Sequence, residues 1–233
     1  MNRRLLILGV VSLVAALSSP AHAQTIRSEA SPQVEWKEIP SIVVMSAEDD
    51  TRLHALREAV DFWNAEFAML GSPFRLGDIV HSLRAISADD LRAFSGSSRT
   101  DLGAYFASVR QANGDVIVAM SDGDDFHSFA SPFPALRKVL IVIQNYHKYW
   151  SIPGIERHAI AHELGHAVGL GHNNDTATLM CGGPKCRHTS FPTEGFLPLT
   201  PPEKLELLGM YPPSWESKPS RRWKGDPPAR ISG

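Results

Sequence analysis

The sequence predicts an α+β domain over roughly residues 33–211, on three observations. Apolar residues recur at steps of three and four from Leu53 to Leu70, the period of an amphipathic helix. Short β-branched or apolar runs stand at Ser41–Met45, Asp115–Met120 and Lys138–Gln144, bounded by turn residues. Two helical patterns then close the domain, one from about Ile155 and one from Pro201. Strands and helices are thus grouped rather than strictly alternating. The 233 residues suffice for one domain with a full core.

The elements follow in order. Arg3 and Arg4 precede an apolar run from Leu5 to Leu17, and Ser18-Ser19-Pro20-Ala21-His22-Ala23 comes next. That succession is expected of a secretory signal peptide over residues 1–23, cut after Ala23. The 13-residue run is too short to span a bilayer comfortably. A secreted or periplasmic product is therefore expected, with no stable membrane insertion. Residues 24–32 form a polar lead-in.

Ser41–Met45 is the first strand. Ser46-Ala47-Glu48-Asp49 reads as a capping box opening the helix that carries Leu53, Leu56, Val60, Trp63, Phe67 and Leu70. Gly71-Ser72-Pro73 ends it. Ile79–Val80 belongs to a second strand, and Asn113-Gly114 marks a turn before Asp115–Met120. Residues 121–137, with Gly123, Pro132 and Pro134, are expected to be a long loop. Lys138–Gln144 is the most apolar strand, and a helix over Ile155–Val168 follows. Thr200-Pro201-Pro202-Glu203 is a capping box with Pro at the first helical position. Its helix reaches Met210 with Leu205 and Leu208 as apolar residues. Residues 212–233 hold five Pro, five Lys or Arg and two acids, and read as a flexible basic tail.

Composition excludes several functions. Hydrophobic residues make up 43% and charged residues 21%, which rules out a disordered, collagenous or coiled-coil chain. The net charge is -2; without residues 1–23 it becomes -4, from 21 basic and 25 acidic residues. Neither value favours nucleic acid, and no nucleic-acid partner is expected. Two Cys exclude a disulfide scaffold but allow one bridge. In an oxidising compartment Cys181 and Cys186 can pair across a short loop; binding a metal is the alternative use of two thiols.

The chemistry is concentrated in His162-Glu163-Leu164-Gly165-His166-Ala167-Val168-Gly169-Leu170-Gly171-His172. Residues four apart share a helical face, so His162 and His166 can reach one ion. Glu163 is turned aside by one residue, beside the ion, where a carboxylate can hold water without ligating. Gly169 lets the helix break, and His172 returns from the loop as a third ligand. Three neutral imidazoles leave one zinc position open, the catalytic arrangement. His158 lies on the same stripe, but eight residues of helix rise about 12 Å, too far to share the ion with His166. A capping or surface role is expected for it.

This stretch resembles the metzincins, zinc endopeptidases that include matrixins, astacins, serralysins and adamalysins. All five fixed positions of H-E-x-x-H-x-x-G-x-x-H are present. Met180, eight residues after His172, is similar to the Met-turn that the family carries beneath its zinc. The resemblance is nearest to bacterial secreted matrixin-like proteins and is strong over residues 155–180. It implies a zincin-type domain: a twisted mixed sheet, an active-site helix and a C-terminal helix.

It further implies a secreted endopeptidase with one catalytic Zn2+ held by His162, His166 and His172. In that reading, Glu163 is the general base and acid for a zinc-bound water. The implied partner is a protein or peptide bound in extended form along a sheet edge, and the implied state is a monomer. Lys138–Gln144 and Asp115–Met120 are both candidates for that edge, and residues 181–197 for the pocket wall.

Asn173 departs from the residues that follow the third His in the named subfamilies. No Cys lies in residues 24–180 to supply the cysteine switch of matrixins. Matrixins place a structural calcium or zinc near the region of Asp122, Asp124, Asp125 and His127. The spacing here follows no calcium-loop pattern, so a structural Ca2+ competes with a solvated loop. Two other readings stand beside the peptidase: a gluzincin-type site with Glu194 as third ligand, and a catalytically silent zinc-binding protein of the same fold.

Overall fold

The computed structural model describes residues 34–83, 86, 91, 109–122, 127–145, 152, 154–182, 186, 191–192 and 194–218. The expected signal peptide and lead-in lie outside the described residues. Five strands form one sheet in the order β2-β1-β3-β5-β4. They are β1 (Ile42–Met45), β2 (Ile79–Ser82), β3 (Val116–Met120), β4 (Phe129–Phe133) and β5 (Lys138–Ile143). Strands β2, β1, β3 and β5 run parallel, and β4 runs antiparallel to β5. Three helices complete the domain: α1 (Arg52–Met69), α2 (Ile155–Ala167) and α3 (Pro201–Met210). The class is α+β with a mixed sheet, as expected.

Every residue of β1 and β3 is buried, as is β5 beyond Lys138. Their side chains divide by the strand period of two. Ile42, Val44, Val116, Val118, Ile141 and Ile143 face the core shared with α1 and α2. Val43, Met45, Ile117, Ala119, Leu140 and Val142 face a second core with Ile86, Leu91, Val109 and Ala112. A sheet covered on both faces has no polar face, which explains the unbroken apolar runs of these strands.

Two boundaries differ from the sequence reading. Residues 129–133 are not loop but β4, paired with β5 from Phe129↔Val142 to Phe133↔Lys138. Pro132 obscured it, because proline lacks a ladder donor; an edge strand tolerates that loss. Consequently neither Asp115–Met120 nor Lys138–Gln144 is an edge, since β3 and β5 are both interior.

The other difference is the start of α1. Its N-cap is Thr51 without a side-chain cap, and the box expected at Ser46 does not form. Ser46 Oγ lies 3.0 Å from His81 Nε2 of β2, while Asp50 Oδ1 accepts from the Arg52 N–H at 2.9 Å. The box at Thr200 forms in full, with Glu203 N–H donating to Thr200 Oγ1 and Thr200 N–H to Glu203 Oε2. On α3 the buried apolar residue is Leu207, whereas Leu205 is exposed.

Helix α2 is held by aromatic donors. Trp63 Nε1 donates to Ala161 O at 2.9 Å, Trp36 Nε1 to Ala167 O at 2.8 Å and Tyr211 Oη to Val168 O at 3.1 Å. The last two carbonyls lie in the terminal turn, where helical partners run out. Tyr211 also stacks on Phe74 with ring centroids 3.9 Å apart. Trp215, which the sequence places in the basic tail, packs edge-on against Phe74 and donates to Trp36 O at 3.4 Å. Tyr211→Phe keeps the ring and removes only the donor to a buried carbonyl. It is expected to cost about 1–3 kcal/mol in urea unfolding. An unchanged free energy would show that the hydroxyl contributes nothing.

Candidate metal centre

The site is built from the end of α2 and the loop that follows it. Helix α2 closes in a Schellman turn: Gly169 N–H donates to His166 O at 3.1 Å and Leu170 N–H to Gly165 O at 2.9 Å. Gly169 sits at φ 108°, in the region that glycine enters freely. The turn sends the chain back so that His172 meets the helix it has just left.

The imidazoles of His162, His166 and His172 converge, with one ligand atom from each lying within 4.8 Å of the others. His162 Nδ1 donates to Leu179 O at 2.7 Å, and His166 Nδ1 donates to Leu170 O at 2.8 Å. A carbonyl only accepts, so both rings carry a proton on Nδ1 and turn Nε2 toward the third ring. His172 Nε2 stands 3.0 Å from each of those Nε2 atoms.

Burial, and after it the neighbouring His162, push His166 down to about 3; burial also lowers His172. The three converging rings could hold a metal ion. Nitrogens about 2.0–2.1 Å from a tetrahedral ion stand about 3.3 Å apart, close to the separations here.

Glu163 points into the same cleft and is buried. Burial pushes it up to about 8, against a backbone hydrogen bond from Ala130 that favours the anion. The cleft has a volume of about 340 Å³. It is lined by Ser128, Phe129 and Ala130 of the β4 side, by His162, Glu163, His166 and His172, and by Cys181, Gly182 and Cys186. The edge-strand residues were missed in the sequence because Pro132 made their segment resemble loop. The Pro itself, placed beside apolar Phe129 and Phe133, was the available signal for an edge strand.

Met180 is fully buried beneath α2. A Cβ on Gly165 would lie 2.3 Å from Met180 Sδ and 2.9 Å from Trp63 Cζ2, so only glycine admits this approach. A Cβ on Gly182 would meet the His172 ring at 2.1 Å. Cys181 and Cys186 form a disulfide, with Cα atoms 5.6 Å apart, on the wall of the cleft.

The remaining candidates lie elsewhere. His158 is neither ligand nor surface residue: it is 2% exposed, with Nδ1 2.8 Å from Gly154 O and Nε2 accepting from Leu197 N–H at 3.3 Å. Glu194 is exposed and outside the histidine group. Asp122 is exposed, 3.8 Å from Arg52, and His127 is exposed; Asp124 and Asp125 lie outside the described residues. Among the described residues, the histidine trio is the one group of three or more such side chains placed to share an ion.

Fold and site together define an α+β domain with a three-histidine centre that could hold a metal ion. No protein-family model matches the sequence. No curated protein matches it. Among solved structures, the chain is similar to metalloproteinase-II from Bacteroides fragilis, at 13% identity and a TM-score of 0.47. The match covers 78% of this chain and 55% of that one, so the chain spans about half the length of that protein.

Gly165→Ala tests the packing under the site. The added methyl must displace Met180 or Trp63, and a loss of about 1–3 kcal/mol is expected in thermal unfolding. A variant as stable as the parent would contradict the close approach of Met180.

Proposed function

We propose that this protein is a secreted, zinc-dependent endopeptidase of the metzincin kind, matrixin-like in its features. The observation that carries the reading is the convergence of three imidazoles beside a buried carboxylate, in a cleft bordered by strand β4. In this reading His162, His166 and His172 hold zinc through Nε2, and their tied Nδ1 protons fix two of the rings in the ligating tautomer. When bound, zinc supplies Lewis acidity to water and to the scissile carbonyl.

Glu163 is the proton carrier. Its carboxylate takes a proton from the water that attacks the carbonyl carbon. It then delivers that proton to the departing amine as the carbon–nitrogen bond breaks. Its desolvated position makes it a stronger base than an exposed carboxylate. Strand β4 receives an extended peptide by β-augmentation, replacing the interior strands as the substrate edge. The disulfide-bonded wall at Cys181 and Cys186 shapes one side of the cleft. Residues 1–23 direct export, which accords with a disulfide in the product.

The test is digestion of an unfolded protein substrate by the zinc-loaded chain, with and without chelator. Cleavage is expected to stop with chelator and return with zinc. Glu163→Gln is expected to retain zinc and lose about 10²–10⁴-fold in kcat. No cleavage by the zinc-loaded parent, with Glu163→Gln behaving identically, would leave a silent zinc-binding protein instead. For the ligand set, His172→Ala is expected to lose zinc and Glu194→Ala to keep it, read by metal content after dialysis. The reverse result would favour the gluzincin-type site.

A further inference from the structure

We propose that Asn173 and Glu203 act as a coupled pair of positioning residues for His172, so that the capping glutamate of α3 sets the metal affinity of the centre. The proposal rests on the reading of the three histidines as a metal centre.

His172 is the ligand that needs such help. His162 and His166 project from a helix and are each tied through Nδ1 to a backbone carbonyl. Among the described residues His172 makes no such bond, and it comes from a loop. Its orientation therefore depends on the backbone on either side of it. Asn173, the next residue, is where that backbone is pinned. Its N–H donates to Met180 O at 2.9 Å, and its carbonyl accepts from Gly182 N–H at 3.0 Å. Gly182 in turn packs so close to the His172 ring that a Cβ there would meet it at 2.1 Å.

The Asn173 side chain has no freedom to turn over. Its Oδ1 accepts from the Asp175 N–H at 2.7 Å, so its Nδ2 must face the other way. There Nδ2 donates to Glu203 Oε1 at 2.6 Å and to Thr178 Oγ1 at 2.9 Å. Glu203 is 6% exposed, and its other oxygen accepts from Thr200 N–H at 2.7 Å. One oxygen of the carboxylate thus caps α3, and the other holds the loop of His172. A glutamine would serve the cap equally well, because capping uses one acceptor. Holding Asn173 requires the second atom to be an acceptor too, and a charged acceptor makes the stronger bond.

The pair can be tested by exchanging donor and acceptor. Zinc affinity is measured by competition with a chromophoric chelator for the parent, Asn173→Ala, Glu203→Gln and the double variant Asn173→Asp/Glu203→Gln. Unfolding of the metal-free proteins is followed in parallel, with the absorption spectrum of bound Co2+ as a report on ligand geometry.

Each single substitution is expected to weaken zinc binding about 10-fold and to shift the Co2+ bands. The double variant restores one donor facing one acceptor and is expected to return to within about threefold of the parent. Glu203→Gln keeps the α3 cap and loses the bond to Asn173, so its metal-free unfolding midpoint is expected to fall while the protein stays folded at the assay temperature; the shifted Co2+ bands then separate positioning of His172 from a general loss of stability. Parent-like affinity in both single variants would overturn the proposal, as would a double variant no tighter than the singles. If the parent takes up no zinc, or His172→Ala binds it as tightly, the metal-centre reading itself falls and this inference with it.

Discussion

Helix α2 has to stop just past Ala167, and the carbonyls freed there have to be satisfied inside the protein. A buried carbonyl without a donor costs about 1–3 kcal/mol, enough to matter in a domain of ordinary stability. The chain meets the requirement twice over. The Schellman turn at Gly169 takes the carbonyls of Gly165 and His166, while Trp36 and Tyr211 take those of Ala167 and Val168. Those two aromatics come from opposite ends of the described chain. Closing the helix end therefore also closes the domain, and the loop that leaves it can only run back over α2. The position of His172 follows from that.

The sheet imposes the second constraint. Because β1, β3 and β5 are each paired with a strand on both sides, none can offer a free backbone edge. The antiparallel β4 ends the sheet on the side of α2, and Ser128, Phe129 and Ala130 line the cleft opposite the histidines. The backbone bond from Ala130 to Glu163 joins that strand to the site directly. Edge and carboxylate are thus held at one spacing, and movement of either alone would break a buried hydrogen bond.

Much of this was legible in the sequence where one signal acted alone. The spacing His162, His166, Gly169, His172 implies a face, a break and a return, and each is a local property of backbone and periodicity. Thr200 caps its helix as read because Pro201 fixes the next φ and, among the described residues, nothing competes for the hydroxyl. Ser46 carries the same signature and fails, because strand pairing brings His81 to its hydroxyl. That is a tertiary event 35 residues away. Pro132 hid β4 for a related reason: its missing donor is harmful only inside a sheet, and edge position cannot be read locally. Trp215 and His158 were underrated because their partners, Trp36 and Leu197, are remote in sequence. Asn173 stood out as a departure, but its partner Glu203 lies 30 residues on and already had a capping role.

The electrostatics of the site give the last step. Three Nε2 atoms are held together by bonds made on the far sides of two rings, by a glycine turn and by Gly182 against the third. The Nε2 atoms of His162 and His166 both face His172 Nε2 at 3.0 Å, and burial disfavours a charged His166, pushing it down to about 3. Beside them, burial has pushed Glu163 up to about 8, so its charge too is disfavoured. A cation among the nitrogens would be ligated by their lone pairs and would favour the carboxylate anion. The surrounding fold thus places these groups together, and the group itself is complementary to positive charge. That complementarity is a physical reason to read the cluster as a metal centre and not as three histidines that happen to be neighbours.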